Sequence, residues 1–200
     1  MCLKPGPGRR WRPVAVRRAR CRGASLVEVL VAIVLASVGL MALAAAQAAA
    51  LRAAKMTQYR GTAALLASDL GERLRANRGS SQPGDGFLGG AYDYTADFAA
   101  QGTRAALPLT RCDSAASHCT PAELAALDLA QWRLRVRDQL PRGSVFLLRQ
   151  PGESAMDLWV AWQDPALPAD ESPAPTQECP SGLNRGADLR IRCSYLRVHP

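Results

Sequence analysis

Residues 24 to 51 form an apolar run that holds one charge, Glu28, among Leu, Val, Ile, Ala and a few small polar residues. As a helix rising ~1.5 Å per residue the run reaches ~42 Å, more than the ~30 Å hydrocarbon core of a bilayer requires. Past Leu51 the pattern changes without a break. Met56, Tyr59, Ala63, Leu66, Leu70 and Leu74 recur three or four residues apart, while Arg52, Lys55, Arg60, Asp69, Arg73 and Arg75 lie mostly off that stripe. No proline falls between residues 24 and 76. The pattern predicts one helix of ~80 Å, apolar all round over 24–51 and amphipathic over 52–76. Gly39, Gly61 and Gly71 lower its propensity and allow gentle bending.

Residues 76 to 94, rich in Gly, Pro, Ser and Asn, end that helix and predict a long surface loop. Thr120, Pro121 and Glu123 spell a capping box with proline at the first helical position, and Pro141-Arg142-Gly143 stops the element they start. Trp132, Leu134 and Val136 alternate as a strand would, so helix is read with assurance only for the first part of that segment. The last third changes period. Residues 144–150, 154–164 and 188–198 are rich in β-formers and alternate, as in Met156, Leu158, Val160 and Trp162. Pro151-Gly152 reads as a hairpin turn between the first two, and a proline-rich excursion precedes the third. The expected fold class is α+β, a long N-terminal helix on a small antiparallel sheet. The expected organisation is a leader over 1–23, an apolar helix over 24–51, its amphipathic continuation over 52–76 and a globular head over 77–200.

The formal charge of +8 suggests a nucleic-acid binder until its distribution is examined. Eight of the 25 Lys and Arg lie in residues 1–23, which hold no acid, leaving 17 against 17 Asp and Glu in the rest. An arginine block just before an apolar span retains that end in the cytoplasm and sends the remainder outward. Cys112, Cys119, Cys179 and Cys193 then lie in an oxidising compartment, an even number. Four cysteines allow three pairings. Cys112 with Cys119 and Cys179 with Cys193 is the favoured one, because each pair closes a short loop bounded by turn residues.

Three readings fit the N-terminus. An ordinary secretory signal would use Ala42-Leu43-Ala44 as its cleavage site, and an uncut single-pass anchor needs no cleavage at all. Neither gives Glu28 a role, although a carboxylate near the centre of a membrane helix costs on the order of 2.5 to 3.5 kcal/mol. In the third, Gly23 followed by Ala-Ser-Leu-Val-Glu-Val-Leu-Val-Ala resembles the type IV pilin signal. The resemblance implies cleavage by a prepilin peptidase between Gly23 and Ala24, N-methylation of Ala24, and retention of the apolar helix. That family most often carries phenylalanine after the cut, where this chain has Ala24. Cleavage there creates an ammonium at Ala24, and Glu28 lies one helical turn further on the same face. In the family the new amine of one subunit docks to the glutamate of a neighbour, so that charge neutralisation sets the register of otherwise slippery apolar helices.

The later segments extend the likeness. The run LLASDLGERLRANR, the paired cysteines before a helix containing Leu129 and Trp132, the LPRG turn, the WVAWQD strand and the late Arg192-Cys193 are together similar to the PilV family of type IV pilus modification proteins, which are minor pilins. This resemblance implies a pilin-like α+β fold and a minor pilin that enters a tip or priming complex initiating pilus assembly. Its partners would be other minor and major pilins, the prepilin peptidase and a tip adhesin. It would begin in the inner membrane with its head periplasmic and end in the pilus at the cell surface. A type II secretion pseudopilin is the nearest alternative; a secreted or membrane-anchored enzyme or DNA-binding domain is the alternative from another class.

Catalytic chemistry is not indicated. Gly152-Glu153-Ser154 lacks the second glycine of a nucleophile elbow. Asp85, Asp93 and Asp97 lack calcium-loop spacing. His118 beside Cys119 reads better as a solvated histidine next to a disulfide than as a metal ligand, so no cofactor or metal is expected. Arg133, Arg135, Arg137, Arg142 and Arg149, with Arg185, Arg190, Arg192 and Arg197 and with Trp132 and Tyr195 nearby, form the case for DNA capture. Helical placement of 131–140 turns Arg135 away from Arg133 and Arg137, which makes nucleic acid the weaker reading.

Overall fold

The structure, a computed structural model, describes residues 25–114, 116–150, 153–165, 178–186 and 188–200. It divides into two compact units, one ending at Gln47 and the other spanning Ala48–Pro200. Helix α1, Leu26–Ala76, runs through both. In the first unit it opens where the Val29 N–H donates to the Ser25 carbonyl at 3.1 Å. No residue from Ser25 to Gln47 is buried, in agreement with the absence of a polar face along this stretch.

In the second unit α1 becomes one-sided. Ala63, Leu66, Ala67, Leu70 and Leu74 are buried, with Met56 and Tyr59 half-buried on the same stripe. Helix α2, Pro121–Gln139, starts at the predicted capping box: Thr120 Oγ1 accepts from the Glu123 N–H at 3.2 Å and Glu123 Oε2 accepts from the Thr120 N–H at 2.9 Å. It continues through Trp132, Leu134 and Val136, so the strand-like alternation there is overruled by the cap and by burial of Trp132 and Val136 on one face. Pro141 and Gly143 then redirect the chain. A Cβ on Gly143 would lie 2.3 Å from the Val136 carbonyl oxygen, so only glycine permits the turn to fold back so closely on the helix end.

Three strands follow, β1 (Ser144–Arg149), β2 (Met156–Gln163) and β3 (Ile191–Val198), within the three predicted segments. They form an antiparallel sheet in the order β1-β2-β3. The predicted turn at Pro151-Gly152 and most of the proline-rich excursion lie outside the described residues. Because side chains alternate across a strand, Met156, Leu158, Val160 and Trp162 all enter the main core with α1 and α2. Phe146, Ala161, Ile191 and Cys193 occupy the opposite face, in a second cluster with Phe98 and Leu183. The molecule is thus α+β, a long N-terminal helix packed on a small three-stranded antiparallel sheet as in type IV pilins.

The predicted surface loop after α1 is less superficial than its composition suggests. Its backbone turns through Gly79, Gly84, Gly86 and Gly90 at positive φ, yet Phe87 and Tyr92 are fully buried in the main core.

Candidate functional site

The chemically distinctive region is the start of α1. Leu26, Val27, Val29, Leu30, Val31, Ile33, Val34, Leu35, Val38, Leu40, Met41 and Leu43 are all exposed, most of them by more than half. An apolar surface of this extent is not a water-facing surface. Among the described residues one helix, α1, is long and apolar enough to cross a membrane. The Ser37 hydroxyl donates to the Ile33 carbonyl at 2.7 Å, which satisfies it within the helix. Glu28 is different. It is exposed, carries the only charge of residues 24–51, and has no hydrogen-bond or ion-pair partner among the described residues. Its carboxylate also sits in the first turn of α1, where unpaired backbone N–H groups favour negative charge. Gly23 and Ala24, the expected cleavage and methylation positions, lie outside the described residues.

The four head cysteines form two disulfides. Cys112–Cys119 closes a short exposed loop, and Cys179–Cys193 ties the segment before the 3₁₀ turn at Ser181–Leu183 to β3, with Cys193 buried in the second cluster. His118 is exposed, and no group of three or more potential metal ligands occurs among the described residues. The three aspartates weighed for calcium are engaged with the protein. Asp85 accepts from the Ser80 N–H, Asp93 from the Arg149 N–H and Asp97 from the Ala100 N–H.

The arginines behind the DNA reading are dispersed. Arg135 pairs with Asp69 at 3.0 Å, Arg137 donates to the Gln101 and Gly102 carbonyls, and Arg133 lies over the Tyr94 ring at 4.0 Å. Arg190 pairs with Asp188, Arg192 with Glu178, and Arg197 with Glu153 and Asp157. Trp132, one of the two aromatics in that reading, is fully buried, its indole N–H donating to the Leu66 carbonyl at 2.8 Å. Guanidinium groups held by acids and carbonyls do not line a groove that tracks phosphates.

One constellation escaped the sequence. Arg73 on α1 pairs with Asp128 on α2 at 2.7 Å. The other Asp128 oxygen accepts from the Tyr92 hydroxyl at 2.8 Å, and Asn77 Nδ2 donates to that hydroxyl at 3.1 Å. Burial raises the Tyr92 phenol far above its ordinary pKa, so it stays a neutral donor to Asp128. Its residues lie on three separate segments, and the only local hint was polar residues beside an apolar stripe. The arrangement joins α1, the following loop and α2; it exposes no cleft and has structural rather than catalytic character.

A prokaryotic N-terminal methylation motif matches residues 18–44, a span that includes Gly23, Ala24 and Glu28. No curated protein and no solved structure matches the chain. The matched motif, the unburied apolar helix and the disulfide-bonded head support a type IV pilin-like prepilin, of the pilin or pseudopilin class, anchored in a membrane and structural rather than enzymatic.

Proposed function

We propose that this chain is a minor pilin of a type IV pilus, working by assembly through its N-terminal helix into a tip or priming complex. The observation that carries the reading is Glu28, a carboxylate without a partner among the described residues at the start of an unburied apolar helix, inside the matched methylation motif. In this reading prepilin peptidase cuts between Gly23 and Ala24 from the cytoplasmic side and Ala24 is N-methylated. A methylated secondary amine remains a cation at neutral pH. In an apolar bundle, the ammonium of one subunit and the carboxylate of the next each relieve the other's desolvation, and helices out of register forfeit both. The head, exported across the inner membrane and carrying its two disulfides, then contacts other pilins and a tip adhesin.

The deciding experiment is the N-terminal sequence and intact mass of the protein recovered from its native membrane. The expected result is a chain beginning at Ala24 with one added methyl group. A chain beginning near Ala45 would make this a secreted protein and leave Glu28 without a role.

A further inference from the structure

Around α2 and β1 the arginines fall into two groups. Arg104 and Arg135 meet Asp138 and Asp69, whereas Arg133, Arg137 and Arg149 take part in no ion pair among the described residues. The acids nearest in the fold are engaged elsewhere: Asp93 accepts from the Arg149 N–H, Asp97 from the Ala100 N–H, and Asp138 from two Arg104 nitrogens. The three guanidinium groups also share one side of the sheet. Arg133 and Arg137 are one turn apart on α2. Tyr94 pairs with Leu147, so its ring stands on the Leu147 face, and alternation raises the Arg149 side chain from that face ~7 Å further along β1. Arg133 Cζ lies 4.0 Å from the centroid of the Tyr94 ring, and Arg149 Nε is buried without a hydrogen bond among the described residues. Arg137 donates to the Gln101 and Gly102 carbonyls, which orient its charge without neutralising it.

Arg133 and Arg137 wall a narrow cleft, about 250 Å³ including its open mouth, lined also by Thr103, Ala105 and the start of β1. Gln101 closes the β1 edge by bonding both polar groups of Val145, and Ser144 Oγ donates to the Arg142 carbonyl. The side-chain donors left in the cleft are therefore Arg133 and the Thr103 hydroxyl. A ring against the face of a guanidinium leaves its N–H fork for a planar acceptor. Burial lowers the Arg133 pKa from its ordinary value and Tyr94 offsets this in part, as expected of a half-buried cation that lacks a counter-charge. The floor of the cleft, about 10 Å³, admits one water-sized group. A carboxylate oxygen fits that space; a phosphodiester, with a sugar on either side, is held at the mouth. A lone small carboxylate gains too few contacts there to offset the freedom it loses, so the group is best supplied by a larger body that also binds outside the cleft.

We infer that this cleft receives an acidic side chain of another protein chain. Its aspartate or glutamate carboxylate accepts from the Arg133 fork and from the Thr103 hydroxyl, and Arg137 adds a second positive charge beside it. The site concerns the head alone and holds whether or not residues 24–51 are processed as proposed above.

The test turns the contact into a covalent bond. Arg133→Lys keeps the charge and places a primary amine in the cleft, which a water-soluble carbodiimide joins as an amide to a carboxylate touching it. The full-length variant is treated in its native membrane and read by peptide mass. The expected product links residue 133 to an Asp or Glu of another chain, and Arg111→Lys, altered at an exposed position without a bonding partner among the described residues, does not form a link to that same acid. A conjugate of doubled mass keeps the inference and identifies the partner as a second copy. Links from residue 133 only to acids of its own chain, or none in a variant that assembles normally, overturn it. In wild type, an arginine-selective dicarbonyl should label Arg133 about tenfold or more slowly in the membrane than in the chain purified in detergent, while Arg111 changes little. Equal Arg133 rates overturn the inference even where Arg133→Lys does not assemble. Protection of Arg133 in the purified chain by a single-stranded oligonucleotide, with none from an acidic peptide, overturns the choice of a carboxylate. An uncleaved N-terminus, read by mass, would sink the pilin reading and leave the result at residue 133 standing.

Discussion

Replacing Glu28 with alanine removes the lone charge of the apolar segment and leaves its length and helix propensity intact. Membrane insertion should therefore persist, and so should cleavage after Gly23, which precedes Glu28 by five residues in sequence. Incorporation is expected to fail, because the neighbouring ammonium would be buried with no anion. Comparing the amount of cleaved protein in membrane and sheared-filament fractions checks this; normal incorporation of Glu28→Ala would remove the proposed role. Asp128 is the corresponding residue in the head. It and Arg73 are 16% and 15% exposed at the side chain, and its second oxygen serves Tyr92. Asp128→Ala leaves a mostly buried guanidinium with only Asp69 at 3.5 Å and Gln131 at 3.4 Å, and a buried phenol without its acceptor, and should cost about 2 to 4 kcal/mol. Asp128→Asn keeps an acceptor for Tyr92 and should cost less. Thermal melts of the two variants in detergent would separate them, and equal melting temperatures would mean that the cluster contributes little.

Among the elements, the two disulfides differ in what they constrain. Cys179–Cys193 spans 14 residues and ends in the second cluster, whereas Cys112–Cys119 spans 7 in an exposed loop. Loop-closure entropy alone separates them by about 0.6 kcal/mol. Losing the buried Cys193 also leaves a packing defect, so Cys179→Ser/Cys193→Ser should cost ~2 to 5 kcal/mol and the other pair clearly less. Both follow from thermal melts of the oxidised variants. The β2–β3 pair also carries an acid-sensitive contact. Burial pushes the Asp157 carboxyl up, but hydrogen bonds from Gln150 and Tyr195 and the charge of Arg197 outweigh it and hold the group below the usual carboxylate range. Asp188 is held low chiefly by Arg190. A native value below the unfolded ~3.9 gives stability that is fully present above that pH and is lost as pH falls through the native value. Melting temperature should accordingly be flat above about pH 5 and fall below about pH 4, with a shallower fall for Asp157→Asn; an identical acid limb would rule the contact out.

These elements were legible to different degrees for physical reasons. The α1 stripe, the Thr120–Glu123 box and the Met156–Trp162 alternation are local patterns that secondary structure reads directly, and each lies where its spacing places it. Gln101 closing the β1 edge, Tyr92 reaching Asp128, and the arginines meeting acids up to 118 residues away in sequence depend on tertiary placement that no local window contains. Phe87 and Tyr92 were hidden by glycine-rich neighbours, since glycine marks where the backbone turns and says nothing of where the next side chain goes. Of the candidate site, Glu28 was legible because a charge in an apolar run violates composition.

For the whole molecule the division between units has a consequence that can be measured. Residues 25–47 contribute no buried side chain, while every residue of the main core lies at Ala63 or beyond. The second unit holds α2, all three strands and both disulfides. With its own core it should fold without the first. A chain starting at Ala48, exported to an oxidising compartment, is expected to be soluble without detergent, to hold both disulfides and to melt cooperatively within a few degrees of the full chain in detergent. The apolar stretch contributes assembly and anchoring rather than head stability, so its removal deletes exposed apolar surface without opening a cavity. A broad, non-cooperative transition, or a loss of more than about 2 kcal/mol, would mean that the head needs residues 26–47 to hold its core together. The two units would then be energetically one, and Glu28→Ala could no longer be read as a defect of assembly alone.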